Sequence, residues 1–305
     1  MLSLSRFRPK IIAQILLLSV LFVGLYFALR AIPASQCGFL HYEAVEILED
    51  GSERCEGGAP PFINLRRKPF PVSMEILSKR RDNSDNTVEL RFELRGPDNR
   101  PILPHQLAIT HTERIHLMLV DESLNIYHHL HPQAEGDSGI YRVHFQPRAD
   151  NYRYFAEFVP LRSRQMAIAD GKLSLPTAAP ESGSETLTVD PITLSAQTKV
   201  ALRGIENAVR RNRDTKVTLQ LSDANANDSV PSLQRIMGAY AHVVAFEESL
   251  SGYQHMHPVE PDPRRIDGLE MDFIFHPTLA GNYRIWVQIM LDGKEHFIPF
   301  DAQVM

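Results

Sequence analysis

Two hydrophobic patterns divide the chain. Residues 11–29 run without a charge, whereas beyond residue 68 apolar residues come in short runs, many alternating with polar ones. Val88-Glu-Leu-Arg-Phe-Glu-Leu94 alternates at every step, as does Val217-Thr-Leu-Gln-Leu221. Period two sends successive side chains to opposite faces of an extended strand, so these segments predict half-buried β-strands. Residues 114–120, 127–131, 140–145 and 152–159 are further strand candidates, and 241–246, 271–275 and 283–290 repeat the set later. Turn chemistry separates them, as in Gly96-Pro-Asp-Asn99 and Asp223-Ala-Asn-Ala-Asn-Asp228.

The predicted class is all-β: two tandem immunoglobulin-like β-sandwich domains, 68–194 and 195–305, after an N-terminal transmembrane helix. A small barrel is the alternative. A length of 305 residues exceeds one typical core and agrees with two.

The later half repeats the earlier one. HLMLVDESLNIYHHLHP, starting at His116, aligns without a gap with HVVAFEESLSGYQHMHP, starting at His242. Both spell His-x12-His-x-His-Pro, and both keep the Glu, Ser, Leu and Tyr between. Downstream, Asn151-Tyr-Arg153 matches Asn282-Tyr-Arg284. This is a duplication within one chain.

The spacing predicts a geometry. A tight connection at Asp121-Glu-Ser-Leu124 would set His116 directly opposite His129, with His131 diagonal on the same face. The second copy sets His242 opposite His255, with His257 diagonal. Opposed Cβ atoms stand about 5 Å apart and diagonal ones about 7 Å, so three imidazoles can converge. A one-residue slip would send His116 to the other face. Neutral imidazoles suit copper, zinc, nickel and iron. Tyr127 and Tyr253 share the histidine face as candidates for orienting a ligand. Met118 shares it only in the first copy, where Val244 stands in the second, so a thioether is no common ligand. The expected metal is copper, with zinc as the other choice. Against this stands a plainer reading in which the histidines merely fix the hairpin. His105, His111, His144, His276 and His296 lack counterparts and read as solvated or structural.

The N-terminus carries a targeting pattern. Arg6, Arg8 and Lys10 in the basic tail 1–10 precede the uncharged run 11–29. Wound as a helix, that run spans about 28 Å, close to the bilayer's hydrocarbon thickness. The basic tail then stays in the cytoplasm and the rest is exported. A retained inner-membrane anchor is the reading taken, with a cleaved signal peptide as its rival. Cys37 and Cys55, the only cysteines, lie in the connecting segment 30–67 and predict a disulfide there. The rival is a thiolate site with His41. A net charge of −5 and no basic face argue against nucleic acid.

The phrases His116-Leu-Met-Leu-Val-Asp, Tyr127-His-His-Leu-His-Pro132 and Asn151-Tyr-Arg-Tyr-Phe155 resemble bacterial exported immunoglobulin-like proteins with a His-x-His-Pro hairpin. Some of these are similar to periplasmic proteins associated with copper handling. The resemblance covers both domains and implies a sandwich and a metal link. A blue-copper Cys-His-Met site is excluded, because neither domain contains cysteine.

The expected function is a membrane-anchored periplasmic metal-binding protein acting in metal homeostasis or delivery, with one three-histidine site per domain and an envelope protein as partner. A non-enzymatic envelope scaffold is the alternative. A zinc hydrolase or lyase is the lesser one, since no repeated carboxylate is evidently placed as a general base.

Overall fold

The computed structural model describes residues 9–31, 44–47, 53–56, 62–67, 71–176, 193–195, 198–223, 232–260, 262–266 and 268–305. The chain forms two compact units, Met1–Leu40 and His41–Met305.

The first unit holds α1 (Pro9–Ala31). Its described side chains, at 13–27, are all exposed. Among the described residues no helix is long and apolar enough to cross a membrane.

The second unit opens with a hairpin, β1 (Ala44–Ile47) and β2 (Glu53–Glu56). Cys55 has its backbone in β2, while Cys37 lies outside the described residues, and so does the expected disulfide. Next comes the short β3 (Ile63–Asn64).

The first sandwich follows: β4 (Ser73–Asp82), β5 (Thr87–Arg95), β6 (His116–Val120), β7 (Tyr127–Leu130), β8 (Gln133–Ala134), β9 (Ile140–Phe145), β10 (Asn151–Phe158) and β11 (Ala167–Ser174). One sheet runs β4-β5-β9-β8 and the other β11-β10-β6-β7, all antiparallel. The alternation in β5 buries Val88, Leu90, Phe92 and Leu94 against Leu117, Leu119 and Ala156 of the facing sheet. The basic residues Lys79 and Arg81 lie in β4. There Lys79 bonds the Ser174 carbonyl and Arg81 pairs with Asp150.

The second sandwich has β12 (Thr193–Ser195), β13 (Thr198–Arg203), β14 (Thr215–Asp223), β15 (Leu233–Gln234), β16 (Ala241–Glu247), β17 (Gly252–Met256), β18 (Arg264–Ile266), β19 (Gly268–Phe275), β20 (Gly281–Leu291) and β21 (Lys294–Val304). One sheet runs β12-β13-β14-β19-β18. The other runs β15-β20-β16-β17-β3, with β21 also on β20. The strand β3 comes from the stretch read as a connector. It pairs with Gly252 and Tyr253, and Phe62 beside it joins the second core. Gly252 permits this approach, because a Cβ there would overlap the Phe62 ring.

The strands β6 and β16 are buried at every position. One face of each feeds its own core: Leu117 and Leu119, or Val243 and Ala245. The other face feeds a third cluster that joins the sandwiches, with Met118, Val120, Tyr127 and Phe155 packed against Val244, Phe246, Tyr253 and Trp286. Since side chains alternate, His116 shares its face with Met118, and His242 with Val244. Both sets of histidines therefore lie at the junction between the two sandwiches.

Candidate metal centre

The hairpins differ in register from the sequence expectation. His129 lies opposite Met118 and Tyr127 opposite Val120. In the second copy His255 lies opposite Val244 and Tyr253 opposite Phe246. Extending either ladder puts His116 across from His131, and His242 across from His257. The pairing is thus two residues away from the expected one. The reason is a wider turn, closed by the Asp121 N–H to the Ile126 carbonyl (3.1 Å), with the Asp121 carboxylate taking the Ile126 N–H (2.6 Å). A two-residue shift preserves the face, so all three histidines of each copy still converge.

The donor atoms of His116, His129 and His131 lie within 4.8 Å of one another, and so do those of His242, His255 and His257. Ring centres are 5.4, 5.2 and 4.8 Å apart in the first set and 5.7, 5.2 and 4.6 Å apart in the second. Imidazoles bound tetrahedrally at about 2.0–2.1 Å place their ring centres roughly 5 Å apart. Either set can hold a metal ion.

The hydrogen bonds fix the tautomers. The His116 Nε2–H donates to the Thr110 carbonyl (2.9 Å), and the His242 Nε2–H to the Ile236 carbonyl (3.0 Å). Both carbonyls sit in matching tight turns: Thr110 bridges Glu113 across His111 and Thr112, and Ile236 bridges Ala239 across Met237 and Gly238. All four intervening residues have positive φ. The His129 Nδ1–H donates to Oε1 of Gln288 (2.8 Å), whose amide Nε2 is held by Glu295 (2.5 Å). The His255 Nδ1–H donates to Oε2 of Glu157 (3.0 Å), whose Oε1 accepts from the Tyr253 hydroxyl (2.7 Å).

In His116, His129, His242 and His255 these bonds use one ring nitrogen and leave the other for a further partner. In the first set, Nδ1 of His116 and Nε2 of His129 face each other at 3.2 Å. With both donor protons committed elsewhere, two neutral rings present lone pair to lone pair. Buried Nε2 of His131, Nδ1 of His242 and Nε2 of His255 have no hydrogen-bond partner. Buried polar atoms are ordinarily satisfied, and a cation is the natural partner for converging lone pairs.

Burial, and secondarily the neighbouring imidazoles, hold His116, His129, His242 and His257 well below the usual histidine value. Burial likewise brings His131 to about 4. Neutral imidazole is the ligating form. In the metal-free protein, folded-state values below the unfolded one near 6.5 mean that the unfolded chain takes up more protons. Stability is then complete above pH 6.5 and is lost as the pH falls toward 4. A drop in melting temperature on the order of 10 °C between pH 7 and pH 5 is expected for the metal-free protein in a buffered thermal melt. A flat profile would show that the rings are not held neutral.

Three residues here escape sequence reasoning. Glu157 and Gln288 occupy matching positions, each six residues after the Asn of the repeated Asn-Tyr-Arg. Each bonds a histidine of the other sandwich, a relation no local pattern encodes. His111, read as solvated or structural, is 6% exposed, and its ring lies 3.8 Å from that of His257 and 6.0 Å from that of His116. Its place in the second copy is taken by Met237. Tyr127 packs on Trp286 and its hydroxyl has no hydrogen-bond partner, while Tyr253 reaches the histidines through Glu157. Met256 packs in the second core, away from the centre. His144 and His276 pair with Glu89 and Asp214 away from the centre, both more than a third exposed.

A family profile described as a domain of unknown function (DUF8832) matches residues 194–305, covering the second sandwich. No curated protein matches the chain. Among solved structures it is similar to the Lin-41 filamin domain, at 15% identity over 35% of this chain and 91% of that one, TM-score 0.24. It is also similar to the fibronectin(III)-like modules of Clostridium thermocellum CbhA (11% identity, 76% and 93% covered, TM-score 0.20). A third is Yersinia pseudotuberculosis InvD (13% identity, 76% and 56% covered, TM-score 0.23). Likeness at these scores carries no functional argument. The class rests on the chain's own sheets: an all-β protein of immunoglobulin-like sandwiches with two histidine triads.

Proposed function

We propose that this chain is an envelope-anchored metal-binding protein that holds copper, or alternatively zinc, for homeostasis or delivery. The observation that carries this reading is the convergence of buried imidazoles, with the opposite nitrogens of His116, His129, His242 and His255 already committed. The donors are nitrogen only, which favours Cu(II) or Zn(II) over a thioether-dependent Cu(I) site. The basic tail followed by the uncharged run supports an inner-membrane anchor with the sandwiches in the periplasm, where a second envelope protein would give or take the ion. Hydrolase chemistry fits poorly, because both oxygens of Glu157, the carboxylate bonded to His255, are engaged.

One observation favours the scaffold alternative: the same hydrogen bonds knit the two sandwiches together. Equilibrium dialysis against Cu(II) or Zn(II) separates the two. The full chain is expected to retain up to two ions, and the variant with His116, His129, His131, His242, His255 and His257 replaced by alanine none. Equal retention by both proteins would overturn the metal reading.

A further inference from the structure

The two triads are not separate sites. His129 and His255, from different sandwiches, have ring centres 5.2 Å apart, as close as rings within one triad. His129 lies 5.8 Å from His242, and His116 lies 5.9 Å from His255. The orienting groups cross the junction in both directions: Gln288 of the second sandwich holds His129 of the first, and Glu157 of the first holds His255 of the second. Each orienting residue also sits beside a histidine of its own sheet, Glu157 opposite His116 and Gln288 opposite His242. The arrangement is a pseudo-twofold, and the shared apolar cluster closes one side of it.

Resting on the metal reading above, we infer that the six histidines form one binuclear centre, in which two transition-metal ions sit side by side between the sandwiches. The symmetry is broken chemically. Glu157 brings a carboxylate to the second triad where Gln288 brings only a neutral amide to the first. A carboxylate behind a ligating imidazole raises its basicity and strengthens metal binding. Two adjacent dications also repel, so the second ion binds more weakly than the first. The first ion therefore goes to His242, His255 and His257, and the second to His116, His129 and His131. The first sandwich sets the affinity of the second sandwich's ion, so neither half works alone.

Stepwise Cu(II) loading of the full chain, followed by electron paramagnetic resonance with spin counting, tests this. The first equivalent is expected to give one mononuclear signal that accounts for all the copper. The second should broaden or quench it, with a half-field line and fewer spins than ions. The variant with His116, His129 and His131 replaced by alanine should hold a single ion with its full spin count. Glu157→Gln should weaken the first ion by about 10- to 100-fold while leaving two ions bound at saturation. Two ions with independent, fully counted spins, or only one ion at saturation, would overturn the shared centre. Retention of no copper at all by the wild type would instead overturn the metal reading beneath it.

Discussion

Saturation with Zn(II) is expected to raise the melting temperature of the protein by roughly 15 °C or more, and alanine at all six histidines should abolish the rise. A ligand that binds only the folded state stabilises it in proportion to the logarithm of its excess over Kd, about 4 kcal/mol per site at a thousandfold excess. Each kcal/mol shifts the melting temperature by about 2–4 °C in a protein of this size. The binding energy has no equivalent in the unfolded chain, where the two halves of each triad and the two copies drift apart. Each His-x-His pair would survive unfolding locally, but His116 and His242 join only through the hairpin. The metal-free protein also has the His116 and His129 ring nitrogens facing each other at 3.2 Å, a repulsion that a bound ion would relieve. A chelator should reverse the shift. A rise under about 2 °C in the wild type would place the histidines as hairpin struts and favour the scaffold alternative.

Trp286→Ala is expected to destabilise the protein by roughly 3–5 kcal/mol, the range for truncating a buried aromatic residue. Trp286 is 3% exposed and stacks on Tyr127 across the junction, with ring centres 5.7 Å apart and planes 21° from parallel. It belongs to the cluster that joins the two sandwiches rather than to either core. Its loss opens a cavity between them and leaves Tyr127 without its partner. Gln288, two residues along the same strand and on the same face, would lose its fixed reach to His129. Metal affinity should therefore fall together with stability, whereas Trp286→Phe keeps an aromatic plate and should do less of both. Urea unfolding and a competition assay with a chromogenic chelator measure the two effects. A cost under about 1 kcal/mol would show that the sandwiches do not depend on this contact.

Much of this is legible in the sequence. The period-two runs at Val88 and Val217 mark strands with one face in a core, and they lie there as β5 and β14. The convergence of each triad was legible too, because it needs only parity. His116, His129 and His131 share a face in any register that differs by an even number of residues, so the two-residue difference in pairing leaves their convergence intact. The difference arises at Asp121, whose carboxylate closes the wider turn. The junction also left a trace. The apolar runs Leu117-Met-Leu-Val120 and Val243-Val-Ala-Phe246 do not alternate, as strands buried on both faces should not.

By itself the sequence determined the strand pattern, the duplication and the sharing of a face by each triad, because strand geometry is local and repeats every two residues. Only the tertiary structure decided that the triads meet, that Glu157 and Gln288 serve the opposite copy, and that His111 joins them. Those relations depend on how one sheet docks on another. Docking is set by the summed packing of Met118, Tyr127, Phe155, Val244, Phe246 and Trp286 and by no single spacing along the chain.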